Sequence, residues 1–286
     1  MAPEALPTQA DTESLYFELL KQVLTRSDLE QTYRALQSRT GVVRSVLNPL
    51  ILRTLEGFGL ELRKRVDHSR RGEGRDWPSE AETMIGLLRL NNIQECVLDV
   101  LATDTPGDLI ETGVWRGGAT IFMRGILKAR GVTDRAVWVA DSFQGLPKPD
   151  GARYPHDQAD EHWTNSALSV SVEQVRANFA KYRLLDDQVR FLAGWFRDTL
   201  PSAPIERLAI LRLDGDMYES TIVALEALYP KLSPGGYLIV DDYNAVAGCK
   251  AAVQDYRERN RIQDEITPID WTGVFWQKSA ESAIPE

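Results

Sequence analysis

The chain has 286 residues, 43% hydrophobic and 26% charged, enough to bury one large α/β core with a smaller helical addition and too apolar for a disordered or fibrous class. A formal net charge of -9 repels phosphate backbones, so the basic run Arg63-Lys64-Arg65, with Arg70 and Arg71, reads as a solvated loop face and no nucleic-acid partner is expected. The longest apolar runs are strand-length, far short of the ~20 residues that span a bilayer, the N-terminus has no leader pattern, and Cys96 and Cys249 share no metal spacing with His68, His156 or His162; no membrane partner and a cytoplasmic location are expected.

Residues 1–12 are rich in Pro, Ala, Thr and acid and read as a disordered tail. From Ser14 the spacing of Leu15, Phe17, Leu19, Leu20 and Val23 predicts an amphipathic helix, and similar patterns continue to about Val66. His68–Pro78 lacks periodicity and reads as a loop; a further helix runs from about Ser79 to Val100. Residues 13–100 therefore form a helical extension or cap ahead of the main domain, 101–286.

From Asp108 strands and helices alternate, the mark of βαβ units and a parallel sheet. Strands are expected at Asp108–Glu111, Ala136–Ala140, Val189–Ala193, Leu208–Leu213 and Tyr237–Val240, the last preceded by a helix end and turn over Tyr229–Gly236. Ile266–Ile269 and Val274–Gln277 read as a closing hairpin. Residues 148–166 make a long, polar, aromatic-bearing stretch, and a loop of that length in a compact domain is usually functional, so it is the lid candidate.

The first strand runs into Glu111-Thr112-Gly113-Val114-Trp115-Arg116-Gly117-Gly118, an ExGxxxG spacing. Gly113 permits a sharp turn and close approach of a ligand, and Gly117 and Gly118 permit close packing at the helix start. Asp141, ending the second strand, is placed to accept both ribose hydroxyls of a nucleoside. The competing reading makes Glu111 a surface acid and Asp141 a helix N-cap. Ser142 and Gln144 either line the nucleoside pocket or serve as cap and surface residue.

The fourth and fifth strands end in Asp214-Gly215-Asp216 and Asp241-Asp242. In a doubly wound sheet these ends open onto one crevice, and acids so crowded are unfavourable unless one is protonated or a cation is bound; a cation is the simpler answer. An all-carboxylate donor set suits a hard ion, Mg²⁺ or else Mn²⁺ or Ca²⁺. Helix caps and a solvated turn are the bland alternative.

The segments Glu111–Gly118, Trp138–Gly145, Leu213–Tyr218 and Gly235–Tyr243, in that order, closely resemble the macrocin O-methyltransferase family, which tailors antibiotic sugars; the likeness runs from about Trp77 to Gln277. The resemblance implies a class I methyltransferase (Rossmann-like) fold with a mostly parallel seven-stranded sheet, S-adenosyl-L-methionine, Mg²⁺, and a deoxysugar hydroxyl on a glycosylated natural product as acceptor. It also implies Asp214, Asp241 and Asp242 as metal ligands and Asp216 as general base. Cofactor contacts implied are Thr83, Met84, Glu111, Thr112, Gly113, Val114, Trp115, Asp141 and Ser142, with Gln144 and Asp214 alongside them, and a helical N-terminus of this kind favours a homodimer. His156 and His162 in the lid are the rival bases. A catechol-type methyltransferase acting on an aromatic diol is the alternative; a nicotinamide oxidoreductase lacks its GxGxxG turn here, and a silent binding protein leaves the acid cluster unexplained.

Overall fold

The structure is a computed structural model, and it describes residues 8–27, 33–35, 54–55, 57–60, 63–65, 68–76, 78 and 80–280. Most of the helical pattern expected between 28 and 66 lies outside these residues. Of the described residues there, Thr54, Leu55 and Gly57 are helical as expected, whereas β1 (Tyr33–Ala35) pairs antiparallel with β2 (Arg63–Arg65), so the basic run lies in a strand.

The first helix, α1 (Gln9–Thr25), begins inside the expected tail. Thr8 and Asp11 form a capping box, each side chain taking the other residue's backbone N–H, which supplies partners for otherwise orphaned donors. A short α2 (His68–Gly72) occupies part of the expected loop. The long helix α3 (Gly86–Ala102) starts later than Ser79, because residues 80–85 run across the molecule instead: Glu82 and Thr83 donate to the Leu24 carbonyl and Gly118 donates to that of Glu82. Tertiary hydrogen bonds thus replace the first helical turns.

The alternating part follows as β3 (Asp108–Thr112), α4 (Gly118–Ala129), β4 (Val137–Asp141), α5 (Val172–Lys181), β5 (Val189–Ala193), α6 (Phe196–Thr199), β6 (Leu208–Leu213), α7 (Tyr218–Leu228), β7 (Leu232–Val240), α8 (Ala247–Arg259), β8 (Thr267–Pro268) and β9 (Val274–Gln277). They form a seven-stranded sheet in the order β5-β4-β3-β6-β7-β9-β8, parallel from β5 to β7 and antiparallel through the closing hairpin. β7 extends back to Leu232, so Pro234 and Gly235, expected in a turn, lie within the strand. No helix of the described residues is long and apolar enough to cross a membrane.

Alternation along the strands sends neighbouring residues to opposite faces. Leu109, Ile210 and Ile239 join α1, α3 and α4 in one apolar cluster; Ile110, Leu211 and Leu238 join α7 and α8 in the other. The N-terminal helix is part of this packing. Phe17 is 2% exposed and meets Phe122 of α4 edge-on, with ring centroids 6.4 Å apart. We expect Phe17→Ala to cost ~3–5 kcal/mol of a single cooperative unfolding transition in urea; a small early transition would instead mark α1 as an independent cap.

Candidate active site

The chain fills one side of the sheet through β3, β4 and β5 and then crosses to β6 and β7, so the carboxyl ends of β3 and β6 flank a switch point where α/β sheets bind ligands. A cavity of about 320 Å³ opens there, within the range of small-molecule sites. Its wall includes Thr83, Met84, Glu111, Gly113, Val114, Trp115, Asp141, Ser142, Asp214, Asp216, Asp241 and Asp242. Two expected cofactor residues stand apart. Thr112 is buried inside β3, where its carbonyl receives the Asp214 N–H, and Gln144 is exposed outside the cavity wall, its N–H bonded to the Ser142 hydroxyl.

On the β3–β4 side, Gly113 has φ +88°, and a Cβ there would lie 1.8 Å from the Asp214 carbonyl oxygen. The glycine is demanded by the close passage of the acidic turn as well as by its own left-handed conformation. Asp141 caps no helix. Its two oxygens accept the N–H groups of Val114 (2.8 Å) and Phe143 (2.7 Å), tying the glycine turn to the loop after β4. Burial raises its pKa against those hydrogen bonds. Glu111 is likewise no surface acid: it is 2% exposed, and its Oε2 is buried without a hydrogen-bond partner. An orphaned acceptor beside the glycine turn suits a cationic amino group such as that of S-adenosylmethionine.

Strand periodicity explains the acidic half. Glu111 lies opposite Arg212, Arg212 lies opposite Ile239, and Asp214 and Asp241 each follow two residues later, so all four side chains share the face covered by α3. Arg212 is fully buried. Its Nη1 donates to Glu111 and, at 2.7 Å, to Asp214, and its Nη2 donates to Asp241. Arg89 of α3 donates to the other Asp241 oxygen and pairs with Asp270 at 3.0 Å. The crowding that the sequence assigned to a bound cation alone is thus relieved in part by two guanidiniums of the chain itself. The signal for this was a lone arginine in an otherwise apolar central strand.

These arginines do not reach Asp216 or Asp242. Asp216 has a left-handed backbone (φ 56°), and its N–H donates to Asp242 Oδ2 at 3.1 Å. Burial, then the Asp214 charge, push Asp216 up to about 7, with His162 opposing. Burial and Asp241 raise Asp214 to about 6 against Arg212, and burial with the charges of Asp216, Asp214 and Asp241 pushes Asp242 well above the carboxylate range. Asp214, Asp241 and Asp242 each offer an oxygen within 4.8 Å of the others. An all-oxygen donor set with unbalanced negative charge fits a hard divalent cation.

The cavity also takes in residues that sequence reasoning missed: Trp195 and Phe196 after β5, Val223 of α7, Val246 before α8 and Trp271 of the hairpin turn. They come from helices and turns far apart in the chain and carry no shared spacing. His162 lines the cavity and pairs with Asp160 at 2.7 Å, whereas His156 stacks on Tyr218 away from the wall. Burial pulls the His162 pKa down, but the Asp160 hydrogen bond and the Asp216 and Asp160 charges together raise it.

Comparison with known proteins agrees with this geometry. The macrocin O-methyltransferase (TylF) family model matches residues 13–278, reaching further toward the N-terminus than the four motifs. The chain is 52% identical over 274 residues, 96% of each protein, to the 8-demethyl-8-(2,3-dimethoxy-alpha-L-rhamnosyl)-tetracenomycin-C 4'-O-methyltransferase of Streptomyces olivaceus. It is 60% identical over 73% of its length, and 80% of the relative's, to the demethyldecarbamoylnovobiocin O-methyltransferase of Streptomyces niveus. The solved structure of the O-methyltransferase NovP superimposes with a TM-score of 0.81 at 50% identity, covering 93% of this chain and 99% of that one. The chain belongs to the macrocin O-methyltransferase family and is an O-methyltransferase.

Proposed function

We propose that the protein transfers a methyl group from S-adenosylmethionine to a hydroxyl of a deoxysugar on a glycosylated natural product, with Mg²⁺ held by Asp214, Asp241 and Asp242. The observation that carries this reading is the junction, within one cavity, of an amide-tethered Asp141 and an orphaned Glu111 with an acid cluster only half neutralised by Arg89 and Arg212. By their names, one relative methylates a rhamnosyl-tetracenomycin and another a demethyldecarbamoylnovobiocin, both natural products and the first glycosylated, which supports the acceptor class.

Asp141 and Ser142 would hold the nucleoside, Glu111 the amino group, and Thr83 and Met84, on the strap across the glycine turn, the methionine end. S-adenosylmethionine supplies an electrophilic methyl group whose transfer is an in-line displacement, so rate depends on positioning. A divalent ion supplies Lewis acidity and a template for vicinal hydroxyls, lowering the pKa of an alcohol that is otherwise protonated at neutral pH. Asp216 then receives the hydroxyl proton on a carboxylate oxygen. Its pKa of about 7 suits a general base near neutrality. Residues 148–166 would cover the acceptor and exclude water. An aromatic diol acceptor remains the second reading, favoured by the Trp195 and Trp271 rings at the cavity wall.

Calorimetric titration of S-adenosylmethionine and then Mg²⁺ should show both binding to the wild type and only the cofactor binding to Asp214→Ala; loss of both in the wild type would sink the reading. Asp216→Asn should keep cofactor affinity while kcat falls by ~10²–10⁴-fold, and near-normal turnover would remove Asp216 from the base role.

The raised carboxylates also set a pH dependence. Asp214 and Asp216 are protonated more readily when folded, near 6 and 7, than when unfolded, near ~4. Their contribution to the metal-free protein is complete below about pH 4 and is lost as pH rises through their folded values. A cation competes with those protons, so the thermal shift caused by Mg²⁺ should be small at pH 5.5 and grow by pH 8. An equal shift at both pH values would show that these acids are not the ligands.

A further inference from the structure

Helix α7 begins immediately after the acidic turn Asp214-Gly215-Asp216, and its N-cap residue is Met217, whose side chain offers no acceptor. The first N–H groups of a helix need partners from elsewhere when the cap residue cannot supply them. Here both come from the lid candidate. Asp157 Oδ1 accepts the Tyr218 N–H at 2.7 Å and Asp157 Oδ2 accepts the Glu219 N–H at 2.9 Å. Within 148–166 Asp157 alone is buried, at 2% exposure, whereas Trp163 at the other end is 40% exposed.

The surrounding contacts strengthen the attachment. The His156 ring stacks on Tyr218 with centroids 5.0 Å apart and planes 16° from parallel, and the Tyr218 hydroxyl donates to Asp255 of α8 at 2.8 Å. Gly248, in the first turn of α8, leaves the room that Asp157 occupies: a Cβ there would lie 2.9 Å from Asp157 Oδ1 and 3.1 Å from the Tyr218 nitrogen. A carboxylate at a helix N-terminus is also favoured by the helix dipole. Five residues beyond Asp157, His162 reaches the cavity wall.

We propose that Asp157 is a positioning residue that fastens the lid to the uncapped start of α7, so that the segment carrying His162 is held against the turn that bears Asp216. The proposal rests on the reading of 148–166 as the cover of the acceptor site. Asp157 does not line the cavity; it acts through the lid and through the helix that continues from the acidic turn.

The test uses the full-length protein and hydrogen exchange followed by mass spectrometry, with Asp157→Ala, the isosteric Asp157→Asn, and Gly248→Ala alone and combined with Asp157→Ala. Residues 158–165 should exchange at least tenfold faster in Asp157→Ala and to an intermediate extent in Asp157→Asn, which keeps one acceptor oxygen, while β3 and β6 stay protected and the S-adenosylmethionine dissociation constant changes less than twofold. Gly248→Ala should loosen the lid in the wild-type background and add nothing further once Asp157 is alanine, a non-additivity expected of two groups in contact. Acceleration confined to the Tyr218 and Glu219 amides would make Asp157 a local cap and overturn the proposal, as would uniform loss of protection across the sheet in both Asp157 variants. With methyl α-L-rhamnopyranoside as acceptor probe, kcat should fall at least tenfold in Asp157→Ala. If the wild type fails to methylate that probe, the acceptor reading fails while lid exchange still decides the latch.

Discussion

A guanidinium buried in the central strand is the constraint around which this site is arranged. Arg212 lies in β6 with sheet on both sides and helix α3 above it, and none of it is exposed. A charge so placed is tolerated only when paired and hydrogen-bonded. Glu111 from β3, Asp214 from its own strand end and Asp241 from the end of β7 provide those pairs. Three strand ends are thereby tied at one point, and the two halves of the cavity, glycine turn and acid cluster, share Glu111 and Asp214 as common wall.

The same pairing divides the acids by environment. Asp241 has both oxygens engaged by guanidiniums and is held rigidly, with its carbonyl further bonded to the Thr272 hydroxyl. Asp242 and Asp216 have no arginine, so burial and mutual repulsion favour their protonated forms. A site of this kind has carboxylates fixed in place and others whose charge awaits a cation or a proton donor.

The N-terminal helices take part in this arrangement as structure and as site. α1 packs on α4 through Phe17 and Phe122, its Leu24 carbonyl anchors the strap 80–85, and that strap brings Thr83 and Met84 to the cavity. α3 contributes Arg89 across a long sequence separation to Asp241 and Asp270. Among the described residues, α1 and α3 share one apolar cluster with α4 and the sheet.

Much of this was legible before any coordinates. The strands from Asp108 to Val240 follow apolar runs ended by polar residues, and the ExGxxxG turn, Asp141 and the paired aspartates stand at strand ends where a doubly wound sheet exposes them; local pattern suffices because period-two burial and turn chemistry act over a few residues. What the chain could not disclose on its own depends on separation in sequence. The helix expected from Ser79 gives way to a strap because Leu24 and Gly118 compete for its backbone hydrogen bonds. Tyr229–Lys231 is the helical turn expected there, but Leu232–Gly236 joins a strand because β6 is there to pair with Leu232. The salt bridges of Arg212 and Arg89 to the acid cluster were not legible either, since which charges meet in a low-dielectric interior is decided by packing rather than by proximity along the chain.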